Sequence, residues 1–125
     1  MLFKMVVIAS AVMMGSASAS ASERDSFETF FTIAQANAET EQGAAYDVAL
    51  AMSLRTEEVK ASIQACLRNV PEPESIRGYF SFRSATDYSL ILMPESPFSK
   101  CLAKSLEGRP VPAPPTVPYF TRFVF

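Results

Sequence analysis

Two cysteines, thirteen carboxylates and no histidine bound the chemistry open to this chain of 125 residues. General acid–base and nucleophilic catalysis need a few convergent polar groups, usually with a proton carrier near neutral pKa. Histidine is the side chain that ordinarily supplies one. Glu57 and Glu58 are adjacent carboxylates, but they fall in the first turn of a predicted helix, where the positive helix end accounts for them. The serines cluster in turns, caps and the leader. No His/Cys/Asp spacing matches a metal site, and no glycine-rich loop could hold phosphate. The expectation is a protein without enzymatic activity, with no catalytic residue, no metal ligand and no cofactor.

Cys66 and Cys101 are then the only candidates for covalent chemistry, and what they do depends on compartment. In the opening stretch MLFKMVVIASAVMMGSASASA, Lys4 precedes an apolar run from Met5 to Met14, and small residues follow. Ala17-Ser18-Ala19 and Ala19-Ser20-Ala21 both fit the A-x-A cleavage pattern of a secretory signal. Gly15 and the serines cut the run short of the ~20 apolar residues that a spanning helix needs. Residues 1–21 therefore read as a signal peptide, with a periplasmic or secreted product and no transmembrane segment after cleavage. In such a compartment two cysteines are most simply a disulfide. A redox-active thiol is the sharper alternative; it wants an exposed, low-pKa cysteine, often in C-x-x-C, and that motif is absent.

Cleavage after Ala21 leaves 104 residues, enough for one domain, with ten basic and thirteen acidic side chains and a net charge of −3. Residues 23–58 carry eight acids and two bases, and residues 59–125 carry five acids and eight bases. The simplest use of that asymmetry is attraction between the two halves; a binding face is the other. The dense basic footprint of a nucleic-acid binder is missing.

Four helices and three strands must position these groups. Phe27, Phe30, Phe31 and Ala34 recur at helical spacing and predict a helix over about 26–37, with Asp25 and Glu28 as a weak capping box. A second helix, about 41–53, has Thr40 as its cap and Ala45, Val48, Ala49 and Met52 on one face. Gly43 either separates it from the first helix or allows close packing in its first turn. Thr56 caps a third helix, about 57–69, whose inner face is Val59, Ile63, Cys66, Leu67 and Val70. The period then changes to two. Ile76, Gly78, Phe80 and Phe82 alternate with Arg77, Tyr79, Ser81 and Arg83 over 76–84, SATD supplies a turn, and YSLILM forms a second strand over 88–93. Ser96 and Pro97 open a fourth helix, about 97–107, with Phe98, Cys101, Leu102 and Leu106 inward and Gly108 as its stop. RPVPAPP must run extended, and TVPYFTRFVF alternates as a last strand over 117–125. The two cysteines sit on the inner faces of two helices, which suits helices packed side by side on a sheet. The fold class is α+β: a small three-stranded antiparallel sheet with helices packed on one face.

This order resembles the C-terminal domain superfamily of TonB and TolA, and within it the small cysteine-containing AgmX/PglI type. The residues that carry the likeness are Cys66 in IQACLRNV, the strand GYFSF, MPESPFSKCLAKSLEGRPVPAPP with Cys101, Pro110, Pro112, Pro114 and Pro115, and YFTRFVF. It covers residues 56–125, which become the TonB/TolA C-terminal-like domain, after a helical segment over 22–55. The energy-transducing members have a membrane anchor and a long spacer, which this chain is expected to lack, and the turn SATDYS lacks their common D-G. The resemblance implies the fold and an interaction role in the cell envelope, not coupling to the proton-motive force. The expected partner is another envelope protein, bound through strand addition, with no nucleic acid involved. An exported inhibitor or immunity protein that blocks an envelope enzyme or toxin is the alternative. The candidate binding edge is the last strand, at Tyr119, Phe120, Arg122 and Phe123, because no later segment is expected to cover it.

Overall fold

The structure is a computed structural model that describes residues 25–68, 70, 72 and 74–125; the expected signal peptide lies outside the described residues. Helix α1 covers residues 25–39, α2 Glu41–Ser53, α3 Glu57–Leu67 and α4 Pro97–Leu106. Strands β1, β2 and β3 are Arg77–Phe82, Tyr88–Met93 and Tyr119–Val124. The chain divides into two compact units, one ending at Phe30 and one running from Phe31 to Phe125. The sheet and helices α2, α3 and α4 all belong to the second unit.

Local chemistry sets the helix ends. Thr40, Thr56 and Ser96 each accept a hydrogen bond from the backbone N–H three residues on, satisfying a donor that a helix start leaves open. Ser99 reaches back to the Ser96 N–H at 2.8 Å, and Pro97 occupies the first turn. After α4 the chain turns at Gly108, whose φ of 77° is open to glycine without strain. Asp25 is itself helical, and its carbonyl accepts the Thr29 hydroxyl, so it is not the cap expected of it. β3 starts at Tyr119 rather than 117, since Pro118 has no N–H to give a ladder.

The sheet is antiparallel with order β2-β1-β3, which places β1 between Leu90 and Thr121 at Phe80. One face carries Ile76, Phe80, Phe82, Tyr88, Leu90, Leu92 and Tyr119, and these pack with Phe98, Leu102 and Leu106 of α4 into the main core. The α+β class and the antiparallel three-stranded sheet are as expected. The opposite face is not bare: Arg77 lies 5.0 Å over the ring of Phe31, carried by α1.

Helix α2 departs from its expected phase. Its buried residues are Gly43, Tyr46 and Leu50, while Val48 and Met52 are 60% and 64% exposed. Tyr46 decides this, because its ring meets Phe82 edge-on at 6.0 Å and Tyr119 at 5.6 Å, and its hydroxyl donates to Pro112 C=O at 2.7 Å. An aromatic ring buries more apolar area than a valine or an alanine. In an alanine-rich helix, one ring sets which side turns in.

Cys66 and Cys101 pair with Cα atoms 5.7 Å apart, fastening α3 to α4. The acid-rich and base-rich halves do meet: Arg109 reaches Glu58 at 3.1 Å, and Arg122 lies 3.9 Å from Asp47.

Candidate functional site

β3 lies at one side of the sheet, so one row of its peptide groups has no strand opposite among the described residues. The register says which. Phe125 N–H donates to Ile76 C=O at 2.8 Å, and Ile76 N–H returns to Phe125 C=O at 3.4 Å. Antiparallel ladders repeat this exchange every second residue, so Phe123, Thr121 and Tyr119 turn their peptide groups toward β1. Phe120, Arg122 and Val124 turn theirs outward.

Side chains blunt both edges of the sheet. On β2, the Glu107 carboxylate accepts the outward Leu90 N–H at 2.8 Å. On β3, the Asn37 amide donates to Phe120 C=O at 2.9 Å. Beside it, Asp47 accepts a hydrogen bond from the buried Thr121 hydroxyl and sits near Arg122. The edge expected to stand free is thus covered over its first half by earlier segments of the chain. Arg122 and Val124 are left, with no backbone hydrogen-bond partner outward among the described residues.

The four residues expected to form the binding edge have different fates. Tyr119 is buried against Tyr46. Phe123 faces inward, with its ring edge-on to Phe80 at 6.0 Å. Phe120 is half-buried, edge-on to Tyr79 at 5.8 Å on the other face. Arg122 alone combines an outward backbone with a half-exposed side chain. Val124, 69% exposed, belongs beside it. Alternation already put Val124 on the face of Phe120 and Arg122, so that signal was present in the sequence.

Below the open half of the edge lies a groove of about 640 Å³. Leu50 of α2 and Leu54 at its C-terminal cap, Val59 and Ile63 of α3, and Phe123 of β3 form its walls, with Phe80 and Leu106 also lining it. Asp47 and Arg122 supply its polar groups, with 25% and 50% of their side-chain surface exposed. Sites of this volume, mostly apolar with few polar groups, are the common form of a binding cleft.

No family model, curated protein or solved structure matches the chain. The site offers main-chain donors and acceptors at Arg122 and Val124, an apolar recess beneath them, and a carboxylate–guanidinium pair at the rim. Among the described residues, no group of three or more His, Cys, Asp or Glu could hold a metal ion, and no helix is long and apolar enough to cross a membrane. The arrangement suits contact with an extended chain.

Proposed function

We propose that this protein is an exported interaction domain of a cell-envelope assembly, without enzymatic activity, that binds another envelope protein by adding a strand to β3. One observation carries the reading: among the described residues, the outward peptide groups of Arg122 and Val124 stand without backbone partners above an apolar groove. In strand addition the main chain supplies affinity, and pockets for alternate side chains supply specificity. The blunting of β2 and of the first half of β3 directs an incoming strand to this one short stretch. The leader, the disulfide and the likeness of residues 56–125 to the TonB/TolA C-terminal superfamily agree with an envelope role. The absence of histidine from the sequence agrees with action by contact.

In-cell photo-cross-linking tests this. A photoreactive residue at position 124 should give a discrete adduct with one envelope protein, and one at exposed position 104 on α4 should not. Val124→Pro, which deletes an outward N–H, should abolish capture from position 122. Equal labelling from 104 and 124, or capture that survives Val124→Pro, refutes strand addition at this edge.

A further inference from the structure

The groove has one wall that is held differently from the others. Strands β1 and β3 are joined along their full length, and α4 packs on β2. Among the described residues, the backbone of α3 comes close to α4 but to none of α2, β1, β2 and β3, so only its side chains reach them: Val59 and Cys66 are buried in the cluster that holds Leu50, Phe80 and Phe82. Yet Val59 and Ile63 of α3 form the side of the groove facing β3. Two fasteners hold α3 in place beyond its apolar side-chain contacts. Near its start, the Arg109 guanidinium binds Glu58 at 3.1 Å and Ser62 at 3.3 Å. Near its end stands the Cys66–Cys101 bond. The ion pair is exposed on the Glu58 side, where such pairs contribute little. The disulfide is the strong fastener.

We infer that α3 is a movable wall of the groove and that the thiol–disulfide state of Cys66 and Cys101 sets whether it stands closed; its use in partner binding rests on the function proposed above. The two residues differ in access: Cys66 is buried and Cys101 is half-buried, so Cys101 is the side open to attack. A dithiol reductant attacks, as its thiolate, the Cys101 sulfur. The S–S bond breaks, and Cys66 leaves as a thiolate that takes a proton. The reductant's second thiolate then attacks the mixed disulfide, releasing Cys101 as a thiolate that also takes a proton and closing the reductant into its own disulfide. Two electrons and two protons pass to the protein, and the reductant is oxidised by the same amount. Ser105 Oγ, which donates to Cys101 C=O at 2.9 Å, lies 3.5 Å from the Cys66 sulfur, so its proton can turn to the departing thiolate. Once the bond is open, α3 loses its covalent tie to α4 and keeps its apolar side-chain contacts and the Arg109 contacts. Opening α3 exposes Phe80 and Leu106, while the sheet keeps its own ladder.

Amide hydrogen exchange on the full chain, oxidised and then reduced with dithiothreitol, reads this without any partner. In the reduced chain, α3 amides should be at least about tenfold less protected than β1 amides, as expected of a unit that opens by itself. Fluorescence of the apolar dye 8-anilinonaphthalene-1-sulfonate should rise on reduction, and Cys66→Ser with Cys101→Ser should reproduce both effects without reductant. One common protection factor for α3 and β1 after reduction means that the bond staples the whole domain, and it overturns the inference. So does unchanged α3 protection, or outright unfolding of the reduced chain. Because the readout is α3 and not capture, its failure leaves the strand-addition proposal standing.

Discussion

Tyr88→Phe isolates one hydroxyl that ties the sheet to the end of α4. The ring stays, keeping its neighbours Phe82 at 5.1 Å and Phe80 at 5.7 Å. The hydroxyl can donate to Leu106 C=O at 2.8 Å or to Arg109 C=O at 3.0 Å, and it accepts the Arg109 N–H at 3.0 Å. It thus serves as a cap for the last turn of α4 and the start of the proline-rich connector. Removing it strands the Leu106 carbonyl and the Arg109 N–H. An unsatisfied buried group costs about 1–3 kcal/mol, and Arg109 is only half-buried, so water can recover part of its share. The expected loss is about 1.5–2.5 kcal/mol, a fall in Tm of roughly 6–20 °C at about 4–8 °C per kcal/mol for a domain of this size. Burial also holds the Tyr88 hydroxyl above the ordinary tyrosine value of 10.0, with the Arg109 N–H opposing. A raised folded pKa means that its contribution is fully present below the unfolded value near 10 and is lost as pH climbs through the folded value. Phenylalanine has no such titration. The gap between wild type and variant in urea unfolding should therefore be full at pH 7 and narrower at pH 11. A Tyr88→Phe protein within 0.5 kcal/mol of wild type, or a gap independent of pH, refutes the capping role.

Burial likewise raises Tyr46, Tyr79 and Tyr119, so thermal melts of the wild type should lose stability steeply above pH 10. Gly43→Ala should lose about 1–3 kcal/mol in urea unfolding, although alanine is the better helix former by about 1 kcal/mol, because the new Cβ would stand 1.6 Å from Asn37 O. Ser96→Ala removes the side-chain half of the α4 capping arrangement, leaving the Ser96 N–H on Ser99 Oγ, and should lower stability by about 1 kcal/mol by the same assay. Cys66→Ala and Cys101→Ala should each cost roughly the 3.8 kcal/mol that the chain-entropy relation assigns to a loop of about 36 residues, and the double variant should cost little more, since the pair acts as one unit. Additive losses would show two independent thiols.

Elements were legible in the sequence because they are local. The change from helical spacing to alternation at Ile76, the Thr and Ser caps, Pro97 and Gly108 each act within a few residues, and they place every helix and strand to within two residues. The cysteine pairing was legible too, because two cysteines allow one bridge and both lay on inward helix faces. Where α2 turns was not, since alanines offer little to prefer one side, and Tyr46 meets its partners only after the chain has folded back. The same holds for the edge. Asn37 covers Phe120 across 83 residues, Asp47 meets Thr121 across 74, and Glu107 blunts β2 from the far end of another helix. A polar side chain on a helix surface carries no local mark of which distant peptide group it will satisfy. The sequence by itself determined that β3 would be a strand with an alternating face. Only the tertiary structure decided that half of its edge would be capped, and that Arg122 and Val124 would stand open above a groove walled by α2 and α3. Backbone preference and apolar period are properties of neighbours in the chain, whereas exposure is a property of neighbours in space.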